Sequence, residues 1–296
     1  MLTANNFRVF ELLKTKKTAA EVASALRTDQ RATAILLDAL TSLGLLRKAR
    51  GAYTNAPVAN EYLVSGKPGY QGDIIRHEDN LWDNWSGLDE VMTTGLPSRR
   101  RFEHGHFIKG MQNISVFKTK EVMEALDLAG VKTALDLGGG PGIYAVALAK
   151  RGLDVTLFDR PETMRIARQN ARQAGVKVKL RKGDFMADPL GKGFDLVFIS
   201  QIFHAFADEE NREIVQRCRA ALNPGGRMAV QEFPVSDDRT SPPEGALFAV
   251  NMLVNTHGGR TYPAKEIMGW LRESGFVKLS QKRLSDSVLI QGSLKT

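Results

Sequence analysis

Four glycines and a proline, Gly138-Gly139-Gly140-Pro141-Gly142, stand where an apolar run gives way to a helix-like segment. Without Cβ atoms such a loop can bend sharply and bring its backbone close to a ligand. The free amides of the helix behind it favour an anionic group. Asp159 follows Gly138 by 21 residues (159 − 138), at the tip of the next apolar run, where a carboxylate can accept both hydroxyls of a ribose. Asp184 closes a third run in Gly183-Asp184-Phe185-Met186, placed for the amino edge of an adenine with Phe185 or Met186 against the ring. His204 falls just beyond a fourth run, and a neutral imidazole there can move a proton near neutral pH.

The elements that must position these residues alternate from Lys132 onward. Strands are expected over Thr133–Leu137, Asp154–Phe158, Val176–Leu180, Phe194–Ile199 and Arg227–Phe233. Helices are expected over Ile143–Lys150, after Pro161-Glu162, and from Asp208-Glu209 to Leu222, with Asn223-Pro224-Gly225-Gly226 as the turn into the last strand. The fourth strand is almost continuously apolar, as a strand buried on both faces must be. Alternation of this kind gives a Rossmann-like, doubly wound α/β domain with a mainly parallel sheet. Ligands bind such sheets outside the carboxyl ends of the strands, which is where the glycines, Asp159, Asp184 and His204 all fall. A nicotinamide fingerprint needs glycine at position 143. Ile143 stands there, and the run ending Gly140-Pro141-Gly142 favours S-adenosylmethionine (SAM) over a nicotinamide.

Residues 1–64 read as short helices followed by a hairpin. Phe7, Val9, Phe10, Leu12 and Leu13 suggest an amphipathic first helix. Thr18 and Glu21 have capping-box spacing at the start of Ala19–Leu26. Thr28-Asp29 caps a third helix carrying Ile35, Leu36, Ala39, Leu40 and Leu43, and Leu45–Lys48, Arg50-Gly51 and Tyr53-Thr54 form strand, turn and return strand. This is a winged-helix layout. The exposed face of its third helix offers Gln30, Arg31, Ala32, Thr33, Ala34 and the acidic Asp38, a poor surface for reading DNA; Arg47, Lys48 and Arg50 on the wing are the counter-evidence. Dimerisation is the favoured role. Trp82 and Trp85, three apart in an aromatic-rich stretch, read either as packing between domains or as one wall of an aromatic pocket. The division expected is 1–110 for the winged helix with its helical linker and 111–296 for the α/β domain.

Bulk composition sets limits. A chain of 296 residues holds about two domains. No stretch approaches the roughly 20 apolar residues of a membrane span, and Met1–Arg8 lacks a signal-peptide layout. The lone Cys218 excludes an intrachain disulfide and is expected to be a buried apolar residue. These features fit a cytoplasmic protein. The net charge of +8 raises nucleic acid as a partner. The basic residues are dispersed, however, and the densest run, Arg99-Arg100-Arg101, follows a turn and reads as a solvated loop. His77, His104 and His106 are fixed by nothing in the sequence. His104-Gly105-His106 lacks further ligands, so no metal is expected.

Taken together the motifs resemble the winged-helix small-molecule O-methyltransferases, the broad family of plant caffeate and flavonoid enzymes and bacterial polyketide tailoring enzymes of secondary metabolism. The likeness runs through Phe107-Ile108-Lys109-Gly110-Met111, Leu135-Asp136-Leu137 with the glycine loop, Phe158-Asp159-Arg160-Pro161, Gly183-Asp184-Phe185, Phe203-His204-Ala205-Phe206, Asn223–Gly226 and Gly258-Gly259-Arg260. The resemblance implies a homodimer formed by the N-terminal domain and a small-molecule acceptor, with S-adenosylhomocysteine as coproduct. It implies a cofactor set of Ser115, on the cofactor carboxylate, with Asp136, Gly138, Gly139, Gly140, Gly142, Asp159, Arg160, Gly183, Asp184, Phe185 and Ser200. It implies an acceptor pocket drawn from Trp82, Phe107, Met111, Phe203, Asn251, Met252 and His257. The family segment reads His-Asp-Trp with the His as general base; here His204 is kept, with Ala205 and Phe206 beside it. One family Glu matches Glu232, a candidate to orient the imidazole, whereas Thr261 stands where an ungapped match puts the second.

That departure keeps other readings open. C- or N-methylation needs less help from a base. A regulator whose winged helix reads DNA while the α/β domain senses a nucleotide would explain the basic wing, and a nicotinamide-linked oxidoreductase is the remaining alternative.

Overall fold

The computed structural model describes residues 1–98 and 103–296; the Arg99-Arg100-Arg101 run lies outside the described residues. Two compact units interleave along the chain. The first holds Met1–Trp82 with the segment ending at Ile114, and the second holds the segment starting at Asp83 with Ser115–Thr296.

In the first unit α1 (Leu2–Asn6) and α2 (Val9–Leu12) precede β1 (Lys17–Thr18), α3 (Ala19–Leu26) and α4 (Gln30–Ser42). Then come β2 (Leu46–Ala49), β3 (Ala52–Asn55), α5 (Pro57–Tyr62) and α6 (Gly72–Trp85). The expected single first helix is two. Arg8 adopts a left-handed conformation (φ 54°) between them, which leaves Phe7 exposed while Val9, Phe10 and Leu13 enter the core. The capping box is present: the Glu21 amide donates to Thr18 Oγ1, and the Thr18 amide donates to Glu21 Oε2 at 2.6 Å. Asp29 caps α4 through the Ala32 amide. The hairpin gains a third strand that the sequence did not suggest, in the order β1-β3-β2. On the wing, Lys48 is turned back onto Asp38 at 2.7 Å, which also accepts from the Tyr53 hydroxyl.

The second unit contains α7 (Leu88–Thr94) and the end of α8 (His104–Ala125), then β4 (Thr133–Leu137), α9 (Ile143–Lys150), β5 (Asp154–Asp159), α10 (Met164–Gln173), β6 (Lys179–Lys182) and β7 (Phe194–Ser200). After a 3-10 turn at Phe203–Ala205 follow α11 (Asp208–Ala221), β8 (Leu222–Glu232), α12 (Pro243–Asn255), α13 (Ala264–Glu273), β9 (Val277–Arg283) and β10 (Val288–Ser293). The sheet order is β6-β5-β4-β7-β8-β10-β9. The five strands expected are parallel to one another, and β10 runs antiparallel to both β8 and β9. The third strand lies later than expected, at Lys179–Lys182 rather than Val176–Leu180.

Alternate residues feed two cores, as the period of two along a strand requires. Leu135, Leu137, Val197, Ile199, Met228 and Val230 face one layer; Ala134, Leu157, Leu196, Phe198 and Ala229 face the other. In the first layer Trp270 meets Phe203 and Tyr262 edge-on at 5.6 and 4.9 Å, and its indole N–H donates to Asp208 at 2.9 Å. From β4 the chain builds outward through β5 to β6 and then crosses back to β7 on the other side of β4, so the carboxyl ends of β4 and β7 frame the crevice at the switch point. Replacing Trp270 by alanine is expected to cost roughly 3–5 kcal/mol, from lost burial plus the cavity left behind. Urea denaturation would read this as a lowered midpoint, and a loss under about 1 kcal/mol would contradict the packing described.

Candidate active site

The glycine loop follows β4 directly. Gly138, Gly140 and Gly142 have φ of +69°, +53° and +77°, and Gly142 is the N-cap of α9 without a side-chain cap. A Cβ on Gly139 would lie 2.5 Å from the carboxylate of Asp136, so only glycine lets the loop fold over that acid. A Cβ on Gly140 would meet nothing within 4 Å, so there is room beside the loop at this one glycine. Asp159, at the end of β5, accepts from the Gly140 amide at 2.7 Å and from the Arg160 amide at 2.6 Å. Arg160 itself is exposed. Asp184 is exposed and accepts from the Met186 amide, a local turn that sets Phe185 half-buried with its ring 5.6 Å from Phe206. At Gly183 a Cβ would lie 2.7 Å from Asp188. Ser200 hydrogen-bonds Gln231 at 2.9 Å. On α8 the backbone carbonyl of Ser115 accepts from the Thr119 hydroxyl, one helical turn on, at 2.6 Å.

Asp136 is fully buried and neither oxygen has a hydrogen-bond partner among the described residues. Burial, and secondly the charge of Asp159, push its pKa from 3.8 to about 7; the Ala145 amide opposes this without making a bond of normal geometry.

His204 occupies the 3-10 turn just past β7, and Glu232 ends β8. Their side chains meet at 2.8 Å, His204 Nδ1 to Glu232 Oε2. Glu232 is 3% exposed and His204 12%. The His204 amide donates to the other carboxylate oxygen at 3.3 Å, and the Phe233 amide donates to Oε2 at 3.2 Å. Asn211 donates to the carbonyl of Phe203 and the Tyr262 hydroxyl donates to that of Phe206, which pins the turn from behind. A Cβ on Gly259 would stand 2.3 Å from the His204 carbonyl, which accounts for the Gly258-Gly259-Arg260 motif as a backbone packed directly under the turn. Ile202, two residues before His204, fills the space a Gly138 side chain would need, with its Cδ1 2.5 Å from an ideal Cβ. The loop and the histidine turn are therefore in contact.

Two aromatic rings without a motif in the sequence complete this corner. Phe233 and Phe248 stack at 3.9 Å, and the His204 ring meets Phe248 edge-on at 4.9 Å and Phe233 at 5.6 Å. Phe233 adjoins Glu232 in sequence, and Phe248 lies three residues before Asn251 on α12; those neighbourhoods were the available signals. Asn251 is half-buried and Met252 buried.

The remaining candidates for the acceptor pocket have other surroundings. Phe203 is fully buried in the core against Trp270, on the inner side of the turn that presents His204. His257 is exposed beyond the end of α12. Trp82 belongs to the first unit and is 72% exposed. The buried Asn80 and Asn84 define the inner face of α6, and Trp82, two residues from each, points away from it. Phe107 and Met111 also belong to the first unit, where Phe107 meets His77 at 5.2 Å. Burial, with His106 adding to it, pushes the His77 pKa down to about 4. Thr261 is buried with its hydroxyl on the Gly245 carbonyl, so it supplies no second acid. Among the described residues no group of three or more His, Cys, Asp or Glu side chains is placed to hold a metal.

Comparison with known proteins settles the family. Residues 70–277 match the O-methyltransferase domain and residues 1–65 match the O-methyltransferase dimerisation domain. The chain belongs to the O-methyltransferase family. It is 34% identical to the 3-hydroxy-5-methyl-1-naphthoate 3-O-methyltransferase of Streptomyces sahachiroi, over 87% of this chain and 79% of that protein. Its fold superposes on an O-methyltransferase family protein from Burkholderia thailandensis with a TM-score of 0.89 at 28% identity, covering 100% of this chain and 93% of that one. Human N-acetylserotonin methyltransferase in complex with SAM gives a TM-score of 0.88 at 26% identity with the same coverage. The cofactor of this methyltransferase is SAM, and the space beside Gly140, the Asp159 carboxylate at the loop's tip and the apolar Phe185 fit it. No helix among the described residues is long and apolar enough to cross a membrane.

Asp136 gives the site a pH signature. Its folded pKa lies above its ordinary value of 3.8, so the folded state holds the proton more tightly, and the group's contribution to stability falls as pH rises from about 4 to about 7. Asp136→Asn should flatten that fall and be more stable than the parent at pH 8. Urea midpoints for both proteins at pH 5 and 8 test this; parallel pH dependences would refute it.

Proposed function

We propose that this O-methyltransferase methylates a hydroxyl of a small aromatic or polyketide-like molecule, with His204 as general base. The observation that carries the reading is the 2.8 Å contact of His204 Nδ1 with the buried Glu232. A carboxylate can only accept, so the imidazole keeps its proton on Nδ1, donates it as a hydrogen bond to Glu232 and leaves the Nε2 lone pair available. Among the described residues Nε2 has no partner. A phenol near pKa 10 is a weak nucleophile until it loses its proton, and a positioned imidazole removes it as the bond to carbon forms. Glu232 then faces the imidazolium and stabilises it. SAM supplies an activated methyl on its sulfonium; alignment for an in-line displacement is the protein's main task.

The stacked Phe233 and Phe248 beside His204 offer a flat apolar wall suited to an aromatic ring. Similarity to a naphthoate and to an N-acetylserotonin methyltransferase supports a phenolic acceptor of that size. Asp159, Asp184–Phe185, the loop glycines, Asp136, Ser115 and Ser200 are the proposed cofactor set, and Asn251 and Met252 the acceptor-facing residues of α12. Residues 1–110 are proposed to form a homodimer and 111–296 to carry the chemistry. Cys218 is buried, which pushes its thiol pKa up and keeps it inert, as suits a cytoplasmic enzyme.

A panel of hydroxynaphthoates and simple phenols, with SAM as donor, tests the base. His204→Ala should lower kcat by about 10²–10⁴-fold while S-adenosylhomocysteine still binds by calorimetry. Turnover within twofold of the parent would remove His204 from the role.

A further inference from the structure

Asn251 sits one helical turn beyond Phe248 on α12, three residues on, and so shares its face; Phe248 is the ring that meets His204. The Asn251 side chain is not free to choose which end it presents. The indole N–H of Trp85 approaches one of its terminal atoms at 2.9 Å. An indole nitrogen only donates, so that atom is Oδ1. A second donor converges on the same oxygen, Nδ2 of Asn255 at 3.0 Å. The orientation of Asn255 is itself fixed, because its Nδ2 also donates to the backbone carbonyl of Asn251 at 2.8 Å, and a carbonyl only accepts. Its Oδ1 in turn accepts from the buried Asn84 at 2.7 Å. Every step of this chain runs in one direction, and both fixed ends agree. Oδ1 of Asn251 is fully used, while Nδ2 has no partner among the described residues and is not sealed from solvent.

We propose that Asn251 is a specificity residue locked as a hydrogen-bond donor, with Trp85 and Asn255 as its positioning residues, and that the acceptor carries a hydrogen-bond-accepting oxygen there. A carboxylate or ring carbonyl next to the methylated hydroxyl meets that requirement, whereas an amine at the same position puts N–H against N–H. This rests on the reading of α12 as acceptor-facing, and it goes further by giving that face a polarity. The same wall then does two jobs: Phe233 and Phe248 select a flat ring, and Asn251 selects how its polar edge is turned.

The sharpest variant is Asn251→Asp. An aspartate keeps both inward donors satisfied and turns the outward atom from a neutral donor into a charged acceptor. The probes are a hydroxynaphthoate and the aminonaphthol with an amino group in place of its carboxylate, each titrated calorimetrically into enzyme saturated with S-adenosylhomocysteine. The parent should bind the carboxylate at least tenfold more tightly. Asn251→Asp should reverse the preference, and Trp85→Phe, which removes one donor while keeping an aromatic ring, should narrow it. The ratio is taken on one protein preparation, so a partly unfolded variant does not distort it. Equal binding, preference for the amine, or no binding of the carboxylate by the parent overturns the proposal, as does an unchanged ratio in Asn251→Asp. His204→Ala separates this from the base assignment: loss of turnover there with an unchanged Asn251→Asp ratio sinks the polarity alone.

Discussion

The carboxylate of Glu232 is buried at the end of β8, and the active-site corner is organised by what it needs. A buried ionised acid is costly unless paired and hydrogen-bonded. Three N–H groups come to it, the His204 ring, the His204 amide and the Phe233 amide. Those bonds draw the 3-10 turn after β7 against the end of β8, and the turn then exposes its own carbonyls to the interior. Buried carbonyls must be satisfied in their turn. Asn211 takes that of Phe203 and Tyr262 that of Phe206, while Gly259 lets a second loop pass beneath His204. The position of one imidazole is thus the end point of a chain of polar groups finding partners.

The cofactor side of the crevice obeys a different constraint. There the loop is held from below and from the flank, with the Gly138 amide on the Phe158 carbonyl and the Gly142 amide on the Gly139 carbonyl. Asp136 fills the hollow under Gly139, and Asp159 anchors the Gly140 amide at the tip. Two acids so close cannot both ionise cheaply in a buried setting, and the burden falls on Asp136, the deeper one. Asp159 keeps partners that favour its charge. Ile202 ties this loop to the histidine turn, so the two halves of the site share a boundary of apolar atoms.

Much of this was legible in the sequence for a simple reason. Parallel strands buried on both faces read as apolar runs, and the residues that follow them lie on one rim of the sheet; the run-then-polar order alone gathered the glycines, Asp159, Asp184 and His204. Capping obeys local rules, which is why Thr18 with Glu21 and Asp29 were readable. What failed depended on facing. Trp82 and Trp85 are both aromatic and three apart, yet only the buried amides of Asn80 and Asn84 reveal which side of α6 turns inward. Phe203 and His204 are neighbours, and the tight turn sends one to the core and the other to the rim. Phe233 and Phe248 meet across 15 residues of sequence (248 − 233), and no periodicity links a strand end to a helix face. The antiparallel β9 and β10 were unread because exposed edge residues such as Lys278, Lys282 and Arg283 mask the alternation.

Ala205, Phe206 and Thr261 are the chain's departures from the family pattern, and the geometry around His204 accounts for Thr261. A neutral histidine needs only one acceptor at Nδ1 to fix its tautomer, and Glu232 supplies it. A second buried acid would bring a second desolvation cost and repel the first. Thr261 instead spends its hydroxyl on the Gly245 carbonyl at 3.1 Å. Gly245 lies in the first turn of α12, where its backbone packs so closely on Pro234 that a Cβ would be 2.1 Å from that carbonyl. The position that the family gives to an acid here secures the helix bearing Phe248 and Asn251. Thr261 therefore fixes the first turn of α12, the helix that carries the ring meeting His204.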